Sequence, residues 1–233
     1  MRSPCYRLGA AEAFGTPSAV LAAGYLGYGA LAADAGLPLW LTLLSSLSLW
    51  ALPGQLIMIE MSSAGAPLVA MVLAVSFSAA RFMPMTVSLL PALRAPGSGR
   101  RREFFAAHLV SMTGWVAAMR RAPELPASDR LPYFFGFAAT LWLCSVAATG
   151  IGHLAASSLP AATKSALVFM NPVYFLLILL DDARTRVMIL SLIAGAIAIP
   201  LLHRVIPEWS VLIGGLAGGS LAFALHRLLS RHD

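Results

Sequence analysis

The sequence predicts an all-α integral membrane protein with about 6–8 membrane segments, two broken or re-entrant helices and an inverted repeat. Three observations lead there. The 233 residues are 59% hydrophobic and only 11% charged, with a mean hydropathy of +0.80, whereas a soluble domain carries about a quarter charged residues. The apolar runs reach the roughly 20 residues that a spanning helix needs and rarely alternate, which excludes the period-two strands of a membrane β-barrel. The arginines cluster between the runs, where the positive-inside rule reads them as topology signals. The net charge of +6 therefore points to a lipid bilayer and not to nucleic acid.

The runs fall at 14–33, 38–61, 65–93, 104–119, 132–155, 159–181, 185–203 and 209–229. The first follows Arg2, Arg7 and Glu12 and has no A-x-A cleavage site, so it reads as a membrane helix and not as a signal peptide. The second is interrupted by Pro53-Gly54, and a proline removes a backbone donor and clashes one turn back. The third carries Arg81 as its only charge. The fourth connects two halves, 14–93 and 132–203, of a single membrane domain over 1–233. The fifth is intact, the sixth is broken at Asn171-Pro172, the seventh is intact, and the eighth packs through the small residues of GGLAGG.

Charge placement orders these segments. The loop RAPGSGRRRE, 94–103, is the strongest cytoplasmic signal, and the N-terminus with Arg2 and Arg7 belongs on the same side. Two inside ends require an even number of crossings, yet three runs lie between them. The broken run 38–61 is therefore expected to dip in and return, as irregular backbone does when other protein surrounds it. If run 104–119 then crosses, the second half is inverted, as in many secondary transporters. His226, Arg227 and Arg231 favour an inside C-terminus, and Arg120, Arg121 and Arg130 fall outside in this topology.

Arg81 is the first candidate for chemistry, because a charge at bilayer depth costs about 2.5–3.5 kcal/mol on insertion scales. It binds a substrate carboxylate or gates a path, or it pairs structurally with Glu60 or with free carbonyls. Pro53, Gly54 and Gln55 come next. A helix restarting there presents free amides and a positive dipole end to an anion such as a carboxylate; the alternative is a simple kink. Glu60 receives an ammonium or marks the membrane edge. Asn171 and Pro172 are the counterpart in the second half, capping a broken helix or lining a cavity, and Tyr174 lines the same space or packs.

No GxSxG, HExxH, GxxxxGK[ST] or GxGxxG occurs, so no enzyme, ATP-driven machinery or cofactor is expected. Cys5 and Cys144 form no CxxC, and no metal site is indicated. A hydrolase built on His153 and one of several serines is the weakest alternative.

The segment order resembles the AzlC family, the large subunit of branched-chain amino acid export systems. The resemblance begins with AFGTPSAVLAAGYLGYGALAADAGLPLWLTLLSSL. It continues through the restart PGQLIMIEMSSAGAPLVAMVLA, where Gln55 falls at the family's glutamine, and the turn from Ala64 to Pro67. In SFSAARFMPMTVSLLP, Arg81 falls at the family's arginine and Pro91 at its closing proline. The chain departs from the family pattern at Ala79, where members have asparagine, in VSMTGWVAAM, which lacks an acidic motif, and around Val168, where an aspartate is missing. The resemblance implies a secondary transporter of the bacterial inner membrane. It would export small hydrophobic amino acids of the branched-chain type, with a small AzlD-like membrane protein as partner, while the charge placement above puts both termini in the cytoplasm. A non-transporting scaffold or accessory subunit is the alternative.

Overall fold

The computed structural model describes residues 4–95, 99–182, 186–205, 214–215, 217–221 and 224. The described residues are helical and contain no strand. They divide into two compact units, Met1–Tyr174 and Phe175–Asp233. By length and composition, Ala127–Leu154 can cross a membrane, and the pair Leu68–Ala79 and Phe82–Leu93, bent by 42°, is a second span if counted as one.

The first unit is built on α9 (Ala127–Leu154), against which α1 (Pro4–Ala13) and α2 (Thr16–Asp34) pack. Glycines set these contacts. A Cβ on Gly9 would stand 2.1 Å from the Tyr133 carbonyl oxygen, and one on Gly136 would stand 2.1 Å from that of Tyr6. Further along, a Cβ on Gly29 would lie 2.1 Å from the Thr149 oxygen, and one on Gly152 2.0 Å from the Leu26 oxygen. Only hydrogen fits at these four positions, so the backbones touch.

The order of contacts fixes direction. Glu12, just before α2, accepts a 2.5 Å hydrogen bond from the Tyr133 hydroxyl near the start of α9. Gly29 meets Thr149, and the Leu37 carbonyl meets His153 Nε2 at 2.8 Å near its end. Thus α2 and α9 run the same way. Helix α10 (Ala161–Asp182) runs back along α2, with Lys164 on Asp34, Val168 on Gly27 and Asn171 on Gly24.

Run 38–61 is broken, as expected, into two short helices that form a hairpin. Helix α3 (Leu39–Ser48) starts beside the end of α9, and α4 (Leu52–Ser63) turns through Gly65, at φ +68°, into α5 (Leu68–Ala79). The bend of 42° lets α6 (Phe82–Leu93) continue the direction of α5. It ends where Arg130 Nη1 donates to the Ala92 carbonyl at 3.2 Å. Both outer ends of α3–α4 therefore lie opposite that arginine end.

Run 65–93 breaks at Ala80–Arg81, because Pro84 has no N–H for the Ala80 carbonyl. Four expectations need correction. Run 159–181 is not broken: α10 continues through Asn171-Pro172, where a long helix on both sides tolerates the one bond lost at Val168. Run 104–119 is not a single connecting helix. It forms α7 (Arg100–His108) and α8 (Met112–Arg121), separated by Leu109–Ser111, where the Ser111 hydroxyl caps α8 by accepting from the Gly114 amide at 3.1 Å. Arg121 at the end of α8 pairs with Glu12 at 2.8 Å, so this second hairpin returns to the end where it began. As a result Arg120, Arg121 and Arg130 share one end with the 94–103 loop and do not lie opposite it. The inverted repeat fails at the same point, since its leading helices α2 and α9 run in parallel.

In the second unit, α11 (Arg186–His203) meets the glycines of the GGLAGG stretch. Gly214 lies against Ile199 and Gly218 against Ala194 and Gly195, so this face packs within the chain. Most of 209–229 lies outside the described residues, as do Arg2, Arg227 and Arg231.

Candidate functional site

The break between α3 and α4 lies in the interior of the first unit. Trp50, at φ +38°, is the one described non-glycine residue with positive φ and is 4% exposed. Such a conformation costs of order 1–3 kcal/mol and persists only where packing imposes it. Helix α4 starts at Leu52 with Pro53 in its first turn, which needs no N–H there. Ala51, its N-cap residue, supplies no side-chain hydrogen bond.

Around this start sits a buried polar network. Gln55, fully buried, donates through Nε2 to Ser45 Oγ at 3.1 Å and to Ser46 Oγ at 3.0 Å. The Tyr28 hydroxyl lies 2.6 Å from Ser45 Oγ, and Thr149 Oγ1 lies 2.9 Å from Ser46 Oγ. Ser45 donates onward to the Thr42 carbonyl at 2.7 Å and Thr149 to the Ser145 carbonyl at 2.9 Å. One amide thereby ties together α2, α3, α4 and α9.

The other predicted residues converge from different helices. Gly54 is buried with Val75 and Ser78 of α5 beside it. The Tyr25 hydroxyl, from α2, faces the backbone at Leu52 and lies within electrostatic reach of Arg81. Arg81 stands at the α5–α6 break with its guanidinium carbon 5.1 Å from the centre of the Phe82 ring. Asn171 is 5% exposed and flanks Gly24 together with Leu52. Gln55 Oε1, Asn171 Oδ1 and Trp50 Nε1 are buried with no hydrogen-bond partner among the described residues. Leaving such a group unpaired costs about 1–3 kcal/mol, and natural proteins leave few of them unpaired.

Three predicted residues stand apart. Glu60 is exposed near the end of α4 and forms no ion pair among the described residues, so the Glu60–Arg81 pair is not made. Pro172 is exposed on α10, and Tyr174, half-buried, is within electrostatic reach of Arg120. Sequence reasoning missed Tyr28, Ser45, Ser46 and Thr149, since a hydroxyl in an apolar run reads as a small packing residue. It also missed Lys164, whose ammonium holds both Asp34 carboxylate oxygens at 2.8 and 2.6 Å. Each charge sits at the helix end that its dipole disfavours, Lys164 in the first turn of α10 and Asp34 in the last of α2. No described group of three or more His, Cys, Asp or Glu residues could hold a metal ion.

The family model described as AzlC protein matches residues 18–159, more than half of the chain, and runs from the first turn of α2 to just past α9. No curated protein and no solved structure matches. The chain belongs to the AzlC family.

Proposed function

We propose that this AzlC-family chain is a secondary transporter. It exports small hydrophobic amino acids of the branched-chain type across the bacterial inner membrane, together with a small AzlD-like membrane protein. Family membership supports a role in branched-chain amino acid transport. The observation that carries the reading is the convergence of Tyr25, Arg81, Asn171 and Gln55 on the first turn of α4. There the Gly54 amide in the first turn of α4, and a cation within reach, suit a carboxylate, while Leu52 and Val75 beside that turn suit an aliphatic side chain. A discontinuous helix meeting its substrate in the protein interior is the recurrent device of secondary transporters.

Efflux tests this. Cells lacking their own exporters are loaded with labelled valine, leucine and methionine through dipeptides, and release is followed with and without the chain and a co-expressed small partner. Faster release with wild type than with Arg81→Ala, at equal membrane levels, is the expected result. The second reading, a non-transporting scaffold, is favoured by one feature: no carboxylic acid lies in the polar network, so no acid there carries a coupling proton. Equal release with and without the chain would select it.

A further inference from the structure

The hydroxyl contacts around Gln55 are consistent with one orientation of its amide. Ser45 spends its single hydroxyl proton on the Thr42 carbonyl, so in the 2.6 Å contact the Tyr28 hydroxyl donates and Ser45 Oγ accepts. Thr149 spends its proton on the Ser145 carbonyl, so Ser46 must donate to Thr149 Oγ1. Both serine oxygens then have only lone pairs left to offer Gln55. With those two protons on the helix carbonyls, a flipped amide would set its carbonyl against two acceptors, and the amide faces its Nε2 toward the serines. Both Nε2 protons are consumed, and Oε1 is the group left over, fully buried and without a donor. Asn171 Oδ1 is a second such acceptor, on the residue that shares the Gly24 niche with Leu52, one turn before Gln55.

We propose that Gln55 Oε1 and Asn171 Oδ1 form the ammonium subsite of the amino acid, a neutral acceptor pair that holds the substrate's nitrogen without any buried acid. The inference rests on the transporter reading above and deepens it: the carboxylate goes to the start of α4, and the α-ammonium goes to two amide carbonyls. It gives the hydroxyl chain a purpose, since Tyr28, Ser45, Ser46 and Thr149 act as positioning residues that present an acceptor. It also removes Glu60 from the recognition of the ammonium.

The test compares leucine with 4-methylpentanoate, which has the same carboxylate and side chain and no nitrogen. Affinities are measured by displacement of labelled leucine from the full-length chain in lipid nanodiscs. Wild type is expected to bind leucine at least tenfold more tightly than the acid. Asn171→Leu and Ser46→Ala are expected to shrink that ratio several-fold. Ser46→Ala keeps the helix volume, so it carries the test even where Asn171→Leu lowers the yield of folded protein. An unchanged ratio in both variants overturns the subsite and leaves the transporter reading standing. Failure of wild type to bind either compound overturns both. Binding is also compared in sodium chloride and choline chloride. A sodium requirement that vanishes in Asn171→Leu would reassign the two oxygens to a metal cation and overturn the ammonium assignment.

Discussion

The two helical hairpins of the first unit, α3–α4 and α7–α8, share an outline and differ at the break. Each consists of two short helices around a gap of three residues, and they enter from opposite ends. The α7–α8 gap is closed locally, by the Ser111 cap on Gly114, and its flanks are tied by Trp115 Nε1 donating to Ser88 Oγ at 2.9 Å. Its first helix carries Arg100–Arg102 and exposes Phe104 and Phe105, as a helix at a membrane surface does. The α3–α4 gap has no side-chain cap and holds a residue at positive φ, Trp50, whose indole and the nearby carboxamides of Gln55 and Asn171 each bury an atom without a hydrogen-bond partner among the described residues. A break alone is therefore not a site. What separates the two is whether the polar groups that the break frees are satisfied within the chain. The α7–α8 hairpin has its own orphan, Thr113 Oγ1, which makes the contrast testable.

The largest effect is expected from Gln55→Leu, which removes both the acceptor and the tie between four helices. Efflux should fall at least tenfold while the protein still reaches the membrane, and Thr113→Val, the matching change in the other hairpin, should leave efflux within twofold. Equal losses in the two would dissolve the distinction. Next is Asp34→Asn, at the end from which α3–α4 enters, which leaves Lys164 buried without its counter-charge. Removing one partner of a buried pair costs about 3–5 kcal/mol. Asp34 is about half exposed, so a loss near 2 kcal/mol in thermal unfolding is expected, and Asp34→Asn with Lys164→Met should recover most of it. Ser111→Ala removes an N-cap, for which about 1 kcal/mol is typical, and efflux per folded molecule should not change. The smallest effect is expected from Arg94→Gln, beside the second hairpin. Its pair with Glu103, at 2.9 Å, raises the arginine pKa through the carboxylate's hydrogen bond, yet the arginine itself is solvent-exposed, and ion pairs at the surface contribute little. A melting shift of more than a few degrees would mean that this end carries more of the stability than the comparison allows.

Much of the site was legible in the residues. Pro53-Gly54 marked a break and Gln55 a polar group within it, because proline and glycine act on the backbone locally. Arg81 drew attention as the lone charge of an apolar run, and it stands at a helix break beside that site. The hydroxyl network was not legible: Ser46 and Thr149 are 103 residues apart, and only the crossing of two helices makes them partners. The α7–α8 gap, Leu109-Val110-Ser111, contains neither proline nor glycine, and its one local signal is the Ser111 N-cap. Asn171-Pro172 gave a break signal that the fold overrode, since a helix of 22 residues survives one missing bond. The direction of α9 followed from the same omission. Reading run 104–119 as a crossing inverted everything after it, whereas a hairpin there brings Arg120, Arg121 and Arg130 to the end of the first unit that carries Arg94.

The glycine contacts between α2 and α9 also set a timetable for biosynthesis. Gly29 emerges from the ribosome long before Gly152, so the face of α2 that will lie backbone to backbone against α9 has no partner while more than a hundred further residues are made. During that interval Ser45, Ser46 and Gln55 lack Thr149, and the α3–α4 hairpin has no wall to lean on. The first half must wait unfinished until α9 arrives and closes the unit. A chain stopped before Ala127 should therefore be cleared by membrane proteases, whereas one stopped after Tyr174 contains every contact of the first unit described above.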